Sequence, residues 1–159
     1  MPISITTIPR TQFDDIQITG AQMSGTAQSK TIQKTIPTVP TAAGTLEVLV
    51  IIPFASTISS VRVAFKDGLL QDGTNFATFR LINKTTADSD VIAATDANTT
   101  KTSTGAAITA YTTRTLTLAN AAGVAVAAQD VLALRITGAG TLANTLTEGT
   151  LIINTLVSG

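Results

Sequence analysis

Four groups of residues in this chain have types and spacings that could do chemistry. Asp88-Ser89-Asp90, with Asp96 close behind, is the densest acidic group and invites a cation-site reading. A calcium ion needs about six to eight oxygens around one centre, and two aspartates at i, i+2 supply only part of that shell. EF-hand spacing is absent, so these carboxylates read first as solvated loop residues, as do Asp14-Asp15. Gly138-Ala139-Gly140 resembles the opening of a phosphate loop, but no lysine follows and no helix opens behind it, which makes it a turn. The rings of Phe13, Phe54, Phe65, Phe76, Phe79 and Tyr111 are too few for a sugar-binding platform, and Phe65 and Phe79 read as core.

The residue types that are missing narrow the chemistry further. The chain has no His and no Cys, which removes the usual proton shuttle, the usual zinc ligands, a thiolate nucleophile and a Ser-His-Asp triad. None of the ten acidic residues singles out a glycosidase pair. No catalytic residue, cofactor-binding residue or metal ligand is assigned, and a non-enzymatic role is expected. Ten Lys+Arg balance ten Asp+Glu at a pI near 6.1, whereas a nucleic-acid partner is normally met by a clustered basic surface. No nucleic-acid partner is expected. The first residues lack the charged and apolar regions of a signal peptide, and the apolar run Leu49–Phe54 is far shorter than the ~20 residues of a membrane helix. The expectation is a chain made in a cytoplasm, with no membrane partner.

Low charge, 13%, sits beside a mean hydropathy of +0.36, while ordinary domains carry about 25% charged residues. Threonine, about a fifth of the chain, supplies much of the polar surface and favours extended backbone. This composition predicts an all-β protein, part of whose apolar surface is covered by other subunits. A monomer with a threonine-rich surface is the alternative.

The elements that must position any site follow from the pattern. Residues 1–44 hold four of the five prolines and no long apolar run. They read as an extended N-terminal arm, or as edge strands, with short β-pieces at Asp15–Thr19 and Thr31–Ile36. Residues 45–159 read as the folded domain. Leu46, Val48, Val50 and Ile52 share one face of a strand whose other face carries Leu49 and Ile51, which predicts cover on both sides. Val61/Val63/Phe65 and Phe79/Leu81 alternate as half-buried strands, punctuated by Lys66-Asp67-Gly68 and Asp72-Gly73. Further strands are expected at Val91–Ala94, Ile108–Leu118, Val131–Thr137 and Thr150–Val157, with a turn at Asn120–Gly123 and at most one helical turn in Val124–Ala128. Roughly seven to nine short strands without an amphipathic helix predict an antiparallel β-sandwich of jelly-roll or related Greek-key topology. A closed barrel is the alternative.

Three stretches carry a resemblance. They are Val48–Phe54 with Ile58–Val61, Asp72–Phe76 leading into Phe79–Lys84, and Gln129–Leu134 running through TGAGTLANTLTEGTLIIN. From about Glu47 to Val157 the chain resembles small tailed-phage virion proteins of the capsid decoration, or head cement, type. None of these phrases is a catalytic motif, so the resemblance implies fold better than place in the particle. It implies a protein at the capsid surface of a virion, with the major capsid protein as partner. A homo-oligomer is implied too, a trimer being favoured, that draws affinity from many modest contacts. It also gives the residues 1–44 a use, as an arm that adds a strand to a capsid sheet edge. The alternative is a host- or glycan-recognising module of a tail or head fibre, reading its ligand with the loops at one end of the sandwich.

Overall fold

A computed structural model describes residues 28–157, which form nine strands: β1 (Gln28–Ile36), β2 (Gly44–Ile51), β3 (Ser56–Ala64), β4 (Ala77–Asn83), β5 (Ser89–Asp90), β6 (Arg114–Leu116), β7 (Val124–Val126), β8 (Val131–Gly138) and β9 (Gly149–Val157). A short 3-10 turn at Asp96–Asn98 interrupts the long β5–β6 connection. One sheet has the order β1-β9-β3-β6, with β7 pairing the first residues of β3, and the other has the order β2-β8-β4-β5. Every pairing between named strands is antiparallel. Successive strands cross between the two sheets, apart from the β4–β5 hairpin and the β6/β7 pair, and this is the connectivity of a jelly roll.

Alternation builds the core. Val48, Val50 and Ile52 meet Val61, Val63, Phe79, Leu81, Leu132, Leu134, Leu151 and Ile153 between the sheets, with the Phe65 and Phe79 rings 6.3 Å apart. The expected turns hold through side-chain caps. Asp72 Oδ1 accepts the Thr74 and Asn75 amides at 2.7 and 2.8 Å, while Asp67 Oδ2 accepts the Thr147 amide at 3.1 Å and the Thr147 hydroxyl. Gly123, at φ +105°, closes the turn begun at Asn120. At the start of β9, Gly149 lies so close to the Phe65 ring that a Cβ would stand 2.6 Å from Phe65 Cε1.

Some expectations hold and others need correction. The piece Thr31–Ile36 belongs to β1, paired with β9 over nine residues, and β2 begins at Gly44. Residues 28–36 thus form an edge strand of the first sheet. Asp15–Thr19 lies outside the described residues. Leu49 and Ile51 are not covered, standing 52% and 61% exposed. β2 is an edge strand, and among the described residues nothing covers these two side chains. Ile108–Leu118 is a strand only at Arg114–Leu116, because Tyr111, at φ +57°, turns the chain and leaves Ile108 to bridge Leu69 alone. Val91–Ala94 gives way to β5 at Ser89–Asp90, while Val91 and Ile92 are buried and Ile92 bridges Leu118. Val124–Val126 makes no helical turn. It is strand, completing the ladder of β3 at Ser56–Ile58.

Candidate interaction surface

The acidic group picked out from the sequence is brought together with cations. Lys84 Nζ lies 2.8 Å from Asp88, Arg80 Nε 2.9 Å from Asp90, and Lys101 Nζ 3.1 Å from Asp96. The hydrogen bond from Lys84 holds the Asp88 carboxyl below the usual carboxylate range. Arg135 joins the row, 2.6 Å from Glu47 and 3.7 Å from Asp88, and the bond to Glu47 raises its pKa. Glu47, Arg135 and Arg80 are aligned by the register across the second sheet, with Asp90 on β5 and Lys84 and Asp88 at the β4–β5 hairpin beside them, while Lys101 and Asp96 belong to the β5–β6 connection. They form a charge-compensated row. Among the described residues no group of three or more acidic side chains could hold a metal ion.

The remaining described acids are also engaged. Lys66 Nζ is 2.7 Å from Glu148, and this bond raises the lysine pKa. Backbone amides, that of Asn75 foremost, lower the pKa of Asp72. Asp130 is buried, accepting Asn83 Nδ2 at 2.7 Å and the Ala127 amide at 2.9 Å. Asp14-Asp15 lie outside the described residues, as does Phe13. Gly138-Ala139-Gly140 is a bend: Gly138 ends β8, Gly140 takes φ +62°, and Asn75 Oδ1 accepts the Thr141 amide beside it.

Tyr111 is the exposed ring, at 79%, beside a hollow of about 290 Å³ lined by Phe65, Lys66 and Glu148. A lone ring does not make a sugar platform.

The larger feature is the side of the sandwich where β1 and β2, edge strands of opposite sheets, line one groove. A groove of about 600 Å³ runs between them, walled by Ile32 and Lys34 on one side and by Leu49, Val50 and Ile51 on the other, with Val131 alongside. β1 contributes little to the core: Ile36 is buried, Ile32 is half-buried, and the seven others are exposed. Backbone hydrogen bonds to β9 hold it in place. Sequence pattern alone marks Leu49 and Ile51 for cover within the chain, and it does not single out Lys30 and Lys34. The signal for the lysines is their spacing around Ile32, since charge on a strand that would otherwise be half apolar is how exposed edges are kept from pairing indiscriminately.

No family model matches the chain, and no curated protein matches it. Among solved structures, a chain described as part of the Cyanophage Pam1 capsid asymmetric unit is similar to this one at a TM-score of 0.46 and 13% identity, covering 84% of this chain and 87% of that chain. An overlap of that quality does not assign the chain to a family.

Proposed function

We propose that this chain is a structural protein of a tailed-phage virion that coats and stabilises the assembled head, acting by binding and without turnover. The observation that carries the binding role is the β1/β2 side, open among the described residues. A strand with seven exposed residues out of nine and two aliphatic side chains more than half exposed on the neighbouring edge form a surface suited to protein contact. The phage assignment draws on the three sequence phrases that resemble head decoration proteins. Jelly-roll topology is compatible with that resemblance, though fold alone does not specify function. Contact through edges that mix aliphatic side chains with a few charges suits a lattice, where many weak contacts repeat over identical subunits.

The test adds purified full-length protein to heads of the encoding phage that lack it, then reads bound copies by sedimentation and mass spectrometry. Saturable binding at a fixed ratio to the major capsid protein is expected. The double variant Leu49→Ser/Ile51→Ser should weaken it at least tenfold while leaving thermal stability unchanged. Absence from the shell, or a few copies per particle at a fibre tip, would refute the coating role.

A further inference from the structure

The outer faces of the two sheets carry charge in opposite ways. Across the second sheet Glu47 pairs with Arg135, and Arg80 pairs with Asp90. Across the first, the register sets Gln33, Ile152, Arg62 and Thr115 in one row over β1, β9, β3 and β6. Arg62 and Ile152 alternate with the core residues Val61, Val63, Leu151 and Ile153, which puts this row on the far side of the sheet. Among the described strand residues of that face, Arg62 is the one charged side chain. The shortage of charge in the composition is concentrated here.

The neutral groups around Arg62 satisfy one another. Thr31 Oγ1 donates to Asn154 Oδ1 at 3.0 Å, and Asn154 Nδ2 donates to Ser60 Oγ at 2.9 Å, a chain of contacts over three strands. Arg62 is left over. It forms no ion pair among the described residues, and its Nε is shut off from solvent without a hydrogen-bond partner among them. A half-buried guanidinium in that state has already given up part of its hydration, and a carboxylate can meet Nε and an Nη together through two parallel bonds. A second copy is a poor source of that carboxylate, because all eight described acidic side chains already have partners within the chain. An arginine ringed by neutral contacts that exclude water is the pattern of an interface hot spot.

We propose that the outer face of the first sheet docks on the head shell, with Arg62 receiving an aspartate or glutamate side chain of a shell protein. This rests on the coating role proposed above and names its anchor. Four strands, the longest of nine residues, give a face of about 15 by 30 Å, roughly half of the ~800 Å² that a stable contact covers on one partner. β1 carries the surface round to its groove with β2, and the two areas together reach that size.

The test uses the full chain and heads that lack it. Arg62→Gln should weaken binding about thirtyfold or more, with Tm shifted by less than about 2 °C because no partner within the chain is lost. Equal binding by the wild type and Arg62→Gln would overturn the anchor and leave the coating role standing, whereas no binding by the wild type would overturn both. A larger fall in Tm would assign the arginine a partner in its own chain and overturn the proposal. Arg62→Lys, saturated onto heads and treated with a carbodiimide, supplies a second readout, since the introduced amine can form an amide with a carboxylate in contact. The expected cross-link joins position 62 to an acidic residue of a shell protein by mass spectrometry. A cross-link to another copy of this chain, or none from position 62, would overturn the stated occupant.

Discussion

Replacing Arg114 with methionine tests how the long β5–β6 connection is held. Arg114 as a residue is 9% exposed. Its Nη1 donates to Ala106 O at 2.6 Å, and its Nη2 donates to Ala97 O at 2.9 Å and Thr99 O at 2.6 Å, with the Phe79 ring 5.5 Å away. None of these partners is a carboxylate, and burial lowers the arginine pKa from its usual value. One side chain thus gathers three carbonyls from a segment with little regular structure. Hydrogen bonds from a charged donor contribute about 1.5–3 kcal/mol each. Three would sum to more than about 4 kcal/mol, but a methionine side chain avoids the desolvation of the cation and the loop can shift to admit water, so a net loss of about 3 kcal/mol is expected. At about 2–4 °C per kcal/mol for a chain of this size, that lowers Tm by roughly 6–12 °C, measurable by urea and thermal unfolding with an unchanged m-value. Arg114→Lys should recover less than half, since an ammonium cannot reach the three acceptors as a planar fork does. A loss below about 1 kcal/mol in Arg114→Met would refute the idea that this residue organises the connection.

Gly149→Ala should cost about 1–3 kcal/mol by overpacking, because the new methyl meets Phe65 Cε1 at 2.6 Å and Ile36 Cβ at 2.8 Å; adding Phe65→Leu should return part of that loss in calorimetry. Stability should vary little between about pH 5.5 and 9, since no histidine is present and no other side chain ordinarily titrates there. Asp72 and Asp88, whose carboxyls are depressed in the folded state, contribute stability that is complete above their unfolded values near about pH 4 and lost as pH falls through the folded ones. Lys66 is raised, so its small contribution is present below about pH 10 and lost as pH climbs through its folded value. A urea midpoint that moves steeply between about pH 6 and 8 would contradict this account.

The two-sheet fold was legible because its strands announce themselves by alternation. Val61, Val63, Phe79, Leu81, Leu132 and Leu134 all fall inward as their spacing requires. Periodicity fails where pairing partners decide the outcome. Leu49 and Ile51 look like one face of a central strand, yet strand order places β2 at an edge, and no local pattern encodes strand order. β1 was obscure for the opposite reason: it buries so little that its sequence resembles an arm, and its order comes from a nine-residue ladder to residues more than a hundred positions away. The polar interior is invisible locally as well. Asn98 donates to Ala93 O and Thr117 O and accepts the Thr117 amide, a set of contacts that composition and spacing do not encode. The acidic group at Asp88–Asp96 was legible as a cluster, but its pairing with Lys84, Arg80 and Lys101 needed the hairpin and the loop to be in place.

Because Gln28 pairs with Val157, the first and last described residues lie together at one corner. Tyr111 sits at the other end of β9, beside Glu148, roughly 30 Å away by the rise of a nine-residue strand. For peptide display, cargo placed beside Val157 would crowd Gln28, whereas cargo grafted at the Tyr111 tip would be carried on the far pole.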